Sequence, residues 1–317
     1  MNIDLSGANT LALTPFTAAG ALDFSSLRRL LNYVIEGGAK GIISLGSTGE
    51  FFGLSHDERL EVISATTAIV ESRVPLTVGV GSDGTAETIS LVQAAERSGA
   101  DCVMVTPPIY FDSPPSAQVQ HFTAVAASTE LPVMLYDGSN GIRIHPDVLT
   151  EVNRRSPNVK YIKVATQDPA VYRAYVAAAP SVVPIVGDDM LLLQGLRAGG
   201  SGSATAIGNV LPHRITALHA AHICGRMDVA RAIAQELAPF TMRASIPKGR
   251  FIANFKFILR EIGILESAAT RAPLVPLQTR EADELLEDLL PLVNRSLPGV
   301  GAVGTCATFP LHADNRK

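Results

Sequence analysis

Only six of the 317 residues are lysines, so each can be weighed by its position. A neutral lysine amine adds to a carbonyl carbon and forms an imine, and withdrawal from water favours that neutral form. Lys40 stands just before an apolar run, Lys248 and Lys256 fall in a late helical stretch, and Lys317 is terminal. Lys160 and Lys163 share the apolar run 159–164, where their odd spacing sends them to opposite faces of a strand. Lys163 lies at the C-terminal end of that run and is the candidate nucleophile. The plainer alternative is a lysine emerging into solvent at a strand end.

Tyr136 closes the preceding apolar run, 132–136. If the two runs are neighbouring parallel strands, Tyr136 and Lys163 stand close together. A phenol there can pass protons to and from the carbinolamine that precedes an imine; the alternative is a core tyrosine bonded to backbone. Gly46-Ser47-Thr48-Gly49-Glu50 follows the run 41–45. Two glycines flanking two hydroxyls let backbone N–H groups and side chains converge on a carboxylate, although the same composition makes an ordinary turn. Cys102, Cys224 and Cys306 are widely spaced and form no C-x-x-C pair. Cys102, within Cys102-Val103-Met104-Val105, reads as a buried, inert thiol. His219 and His222 have no third ligand nearby, so no metal site is expected.

Positioning these groups requires elements, and the chain alternates short apolar runs with longer helical patterns. The runs cover residues 10–13, 41–45, 76–80, 101–105, 132–136, 159–164, 182–186 and 202–206. Amphipathic stretches separate them, clearest at 26–36, 57–70, 86–97, 117–128 and 147–154. Such alternation predicts βαβ units and a parallel sheet covered on both faces. An open dinucleotide-binding sheet needs G-x-G-x-x-G after its first strand, whereas Thr14-Pro15-Phe16 follows here. Gly79-Val80-Gly81 is a lone G-x-G. Eight units match closure, so the expected fold is α/β, a (β/α)8 TIM barrel with a C-terminal helical appendage.

Barrel active sites gather at the C-terminal ends of the strands, the rim to which Lys163, Tyr136 and the Gly46–Glu50 turn belong. Ser55-His56-Asp57-Glu58 is a capping box that should open the helix after strand two. Helical patterns at 211–224, 228–242, 249–262 and 280–294 follow the eighth strand. The expected organisation is a barrel core over 1–210, the last barrel helix and a helical extension over 211–295, and an irregular Gly/Ala/Thr-rich tail over 296–317.

The sequence is 47% hydrophobic with a formal net charge of −4, and no Lys/Arg run interleaved with aromatics suggests nucleic acid. Its apolar stretches are short and broken by Gly, Pro or charge, and no secretory signal pattern opens it. A soluble cytoplasmic protein, with neither nucleic-acid nor membrane partners, is expected.

The chain resembles the dihydrodipicolinate synthase / N-acetylneuraminate lyase superfamily over about residues 5–295. The resemblance rests on Gly46-Ser47-Thr48-Gly49-Glu50, Thr106-Pro107-Pro108-Ile109-Tyr110, Leu135-Tyr136, Ile162-Lys163, Gly187-Asp188-Asp189 and the Gly-rich segment 199–206, in that order. It implies class I lyase chemistry on pyruvate or a related 2-keto acid, through an imine with Lys163 and no separate cofactor. It further implies that Tyr136 shuttles protons, that Ser47 and Thr48 bind the keto-acid carboxylate and continue the relay, and that Gly49, Gly187, Asp189 and Ile207 border the substrate. Tyr110 matches a relay tyrosine delivered across a tight dimer interface within a homotetramer, although Ile109 replaces the aromatic often found before it.

Departures from the family pattern narrow the substrate. Dihydrodipicolinate synthases carry an arginine five residues after the tyrosine, where it grips the aldehyde's carboxylate; here that position is Gly141, with Arg143 two residues on. Sialate lyases are expected to offer Asp then Glu after strand seven, and this chain offers Asp189 then Met190. The reading is therefore an aldolase-type lyase outside lysine biosynthesis. The alternatives are a 2-keto-3-deoxy sugar acid dehydratase using the same imine, or a binding barrel without catalysis.

Overall fold

In the computed structural model the apolar runs form β1 (Gly7–Leu11), β2 (Gly41–Ser44), β3 (Leu76–Gly79), β4 (Cys102–Val105), β5 (Val133–Asp137), β6 (Val159–Val164), β7 (Val183–Val186) and β8 (Gly202–Thr205). Every neighbouring pair is parallel, and β8 returns to pair with β1, closing the barrel. The structure describes residues 3–110, 113–138, 141–245, 250–277 and 281–287. The expected tail 296–317 lies outside them; of the expected helix 280–294, residues 281–287 are described and are helical.

Helices α1 (Phe24–Glu36), α2 (His56–Val70), α3 (Thr85–Ser98), α4 (Pro115–Ala126), α5 (Pro146–Arg155), α6 (Ala170–Ala178), α7 (Leu192–Arg197) and α8 (Pro212–Ile223) follow the strands in turn. Helices α9 (Met227–Ser245) and α10 (Phe251–Glu261) extend beyond the eight units. Local chemistry sets the starts. Ser55 and Glu58 form the expected reciprocal capping box at α2, and proline occupies the first turn of α4, α5 and α8.

Two apolar layers explain why the strands are continuous apolar runs. Leu11, Ile43, Met104, Met134, Tyr161 and Ile185 fill the barrel. Ile42, Val78, Val103, Leu135, Ile162 and Val186 point the other way, into the layer beneath the helices. Full burial of each large apolar side chain stabilises the fold by about 1.5–3 kcal/mol. Cys102 is buried inside, where desolvation pushes its thiol up to about 12, so it behaves as a small apolar group. His219 turns to β8, its Nε2 2.7 Å from Ser203 Oγ, and burial pulls it down to about 3. Among the described residues no helix is long and apolar enough to cross a membrane.

Candidate active site

Register brings the two strand-end residues together. Tyr136 on β5 is the direct partner of Lys163 on β6, and Lys163 Nζ lies 3.6 Å from the centroid of the Tyr136 ring. Both are buried, Lys163 with 2% and Tyr136 with 8% of its surface exposed. Lys160, three residues earlier, is exposed on the other face. Burial against an aromatic face holds the amine in one place and out of bulk water. On the far side, β7 leads into Gly187, and its backbone approaches the Lys163 stem. A Cβ at Gly187 would lie 3.0 Å from both Cγ and Cε of Lys163. Glycine there makes room for the lysine.

The turn after β2 is built with strain at both ends. Leu45 and Glu50 adopt left-handed backbone conformations, φ 53° and 56°, which side-chain-bearing residues rarely do. Between them Ser47–Gly49 forms a single 3₁₀ turn. Gly79 on the neighbouring strand permits this path: a Cβ there would stand 2.2 Å from the Leu45 carbonyl oxygen. Thr48 and Gly49 are buried and Ser47 is half-buried. Thr14 Oγ1 donates to the Gly49 carbonyl at 2.7 Å, pinning the turn to the segment after β1.

Asp189 and Ile207 also meet. The Asp189 carboxylate accepts from the amides of Ile207 at 2.8 Å and Ala206 at 3.2 Å, fixing the turn after β8. Burial pushes its pKa up to about 6, against the pull of those amides. Tyr110 stands apart: its side chain is 78% exposed, and Asp83 Oδ1 accepts from its backbone N–H at 2.8 Å and from that of Ile109 at 2.6 Å.

Two ion pairs beside these residues are absent from the sequence reading. Arg143 Nη2 pairs with the buried carboxylate of Asp137, next to Tyr136, at 2.6 Å. Asp137 also accepts from the Ile144 amide at 2.8 Å. Burial raises the Asp137 pKa, while the Ile144 amide and Arg143 oppose the rise. The composition of the Tyr136–Arg143 segment hinted at this pair, but not which way Arg143 turns. Lys256, assigned to the appendage on sequence, is fully buried and joined to Glu50 of the Gly-Ser-Thr-Gly-Glu turn. Nothing local in the sequence marks that pairing, because its partners belong to opposite ends of the chain.

Comparison with known proteins agrees with this architecture. Residues 4–290 match the Dihydrodipicolinate synthetase family. A 4-hydroxy-tetrahydrodipicolinate synthase of Kineococcus radiotolerans is 34% identical over 279 residues, spanning 87% of this chain and 90% of that protein. The structure of the 4-hydroxy-tetrahydrodipicolinate synthase of Methylacidiphilum fumariolicum SolV superposes with a TM-score of 0.85 at 31% identity, covering 90% of this chain and 95% of the other. YagE, a prophage protein of the dihydrodipicolinic acid synthase family from E. coli K12 solved in complex with pyruvate, gives 0.84 at 28% identity, covering 90% and 98%. This chain belongs to the dihydrodipicolinate synthetase family.

Proposed function

We propose that the protein is a class I lyase in which Lys163 forms an imine with pyruvate or a related 2-keto acid. The observation that carries this reading is the buried Lys163 amine held 3.6 Å from the Tyr136 ring centroid at the strand-end rim. The neutral amine adds to the C2 carbonyl, giving a carbinolamine. Loss of water from the carbinolamine yields the imine, with Tyr136 passing the protons. Loss of a C3 proton then gives the enamine. The enamine carbon attacks an aldehyde, and hydrolysis of the resulting imine returns the lysine. In this scheme Ser47 and Thr48 hold the keto-acid carboxylate, with Gly49, Gly187 and Ile207 bordering it, and Asp189 shapes the wall by anchoring Ile207. The covalent imine replaces a cofactor.

The distal partner is an aldehyde without a second carboxylate. Gly141 supplies no cation, and Arg143 is engaged by Asp137, which argues against aspartate semialdehyde. Expulsion of a hydroxyl from the same enamine is the competing outcome, and analysis of products with pyruvate and an aldehyde panel separates the two. Borohydride reduction in the presence of pyruvate tests the imine. One adduct is expected, mapped to Lys163 by peptide mass and missing in Lys163→Ala. Lys163→Arg should also be inactive, since a guanidinium stays protonated. An adduct elsewhere, or unchanged labelling of Lys163→Ala, would overturn the assignment.

A further inference from the structure

Lys256 Nζ and Glu50 Oε1 lie 2.5 Å apart with both side chains completely buried. The pair joins α10, outside the barrel, to the end of the Ser47–Gly49 turn. Glu50 is where that turn closes: its amide donates to the Ser47 carbonyl at 3.1 Å, and its backbone is left-handed. The other carboxylate oxygen, Oε2, accepts from the backbone N–H of Arg271 at 2.8 Å. Both oxygens are thus held by the C-terminal part of the chain. Lys256 also donates to the Ala269 carbonyl at 2.9 Å, and its Nζ stands 4.1 Å from the centroid of Phe16, in the segment after β1. Removing two charges from water offsets most of their attraction, so such a pair gains little stability over an apolar one of similar volume. Its effect is to define position.

We infer that Lys256 and Glu50 are positioning residues that set the carboxylate-binding turn, so that α10 determines where Ser47 and Thr48 stand. The inference rests on the reading of that turn as the keto-acid carboxylate site. Neither side chain touches substrate; both act through the turn. Burial also draws the Lys256 amine down to about 8, against the pull of Glu50.

The test compares wild type with the neutral pair Lys256→Met/Glu50→Gln, the charge-keeping Lys256→Arg, and Glu50→Asp, which withdraws the carboxylate by one methylene. Melting temperature, steady-state turnover and borohydride trapping at Lys163 across pyruvate concentrations, and backbone hydrogen exchange over residues 47–53 are measured. The neutral pair should fold, exchange faster in that turn, and show a pyruvate KM raised about 10- to 100-fold, the scale of a small misplacement. The change in kcat at saturating pyruvate should be smaller, and Lys256→Arg should recover much of the loss. A folded neutral pair with wild-type KM and wild-type exchange would overturn the inference. If that variant does not fold, Glu50→Asp decides, a raised KM supporting the inference and an unchanged KM overturning it. Failure of the wild type to trap pyruvate would instead refute the Lys163 imine, while the exchange data still report whether α10 holds the turn.

Discussion

Gly187 is the residue on which the placement of Lys163 depends most directly. A methyl group there would sit 3.0 Å from two carbons of the lysine stem and equally close to the Val164 carbonyl oxygen. The backbone cannot yield easily, so the lysine must move. Gly187→Ala should keep the fold and slow imine formation by about 10- to 100-fold, because reacting groups misplaced by an ångström lose on that order. Stopped-flow or borohydride trapping measures it, and a wild-type trapping rate would show that the stem is free to shift. Arg143, in the same rim, governs which aldehyde is favoured. Its ion pair with Asp137 engages the guanidinium two residues after Gly141, so a carboxylate-bearing aldehyde would have to compete with Asp137 for it. Under saturating pyruvate, kcat/KM for aspartate semialdehyde should lie at least about tenfold, or some 1.4 kcal/mol, below the best neutral or polyhydroxylated aldehyde. Asp137→Asn keeps an acceptor for the Ile144 amide and releases Arg143, and should shift the ratio toward the carboxylate substrate. A ratio unmoved by Asp137→Asn would show that Arg143 cannot reach the substrate even when released. Aspartate semialdehyde proving the best substrate in the wild type would refute the selectivity argument outright.

At the scale of elements, the start of α2 is tied to the C-terminal segment as well as to its own cap. Glu58 accepts from the Ser55 amide and from Arg271 Nη1 at 2.6 Å. The Arg271 hydrogen bond, helped by Ser55 and opposed by modest burial, lowers its pKa from 4.5 to about 2. A depressed carboxylate stabilises the fold above its unfolded value, so this contribution is full above pH 4.5 and disappears as pH falls through about 2. The group is partly exposed, so screening reduces the effect to about 1 kcal/mol. Glu58→Gln should be less stable than wild type by that amount at neutral pH, and urea titrations should show the difference shrinking between pH 4.5 and 2. A constant difference would assign the effect to packing. The capping box itself was legible in Ser55 and Glu58, as were eight apolar strands, because strands buried on both faces cannot alternate. Helices α6 and α7 were not marked. The α6 segment buries Tyr172 and Tyr175, whose hydroxyls donate to the carbonyls of Val164 and Ile144 at 2.8 and 2.5 Å, so tyrosine takes inward positions that a hydropathy pattern expects of aliphatics. The α7 helix has only six residues, too few for a period to show. Lys163 and Tyr136 were legible because adjacent strand ends place them, whereas the Lys256–Glu50 and Asp137–Arg143 pairs depend on tertiary and loop geometry.

At the scale of the whole molecule, Tyr110 poses the question of assembly. Its ring is 78% exposed in the single chain while Asp83 fixes the backbone beneath it, and Phe52, beside the Ser47–Gly49 turn, is 46% exposed. Two large aromatics held out toward solvent on the strand-end side suit a surface that another subunit covers. In the homotetramer of tight dimers that the family resemblance implies, Tyr110 from one subunit would complete the relay of its partner, and each site would draw on two chains. That arrangement makes a prediction which a self-contained site cannot reproduce. Lys163→Ala and Tyr110→Phe should each be nearly inactive alone. Mixed under conditions that exchange subunits, they form hybrid dimers in which one site has lost its lysine and the other keeps its own Lys163 and receives Tyr110 from its partner. With equal amounts and random exchange, half the dimers are hybrid and one of their two sites is intact, so activity should return to about a quarter of wild type. The control is a mixture of Lys163→Ala with the double variant Lys163→Ala/Tyr110→Phe, which should stay inactive. If the mixed single variants remain inactive after exchange is verified by native mass spectrometry, Tyr110 acts within its own chain or not at all. An active monomer in sedimentation would remove the need for a shared site altogether.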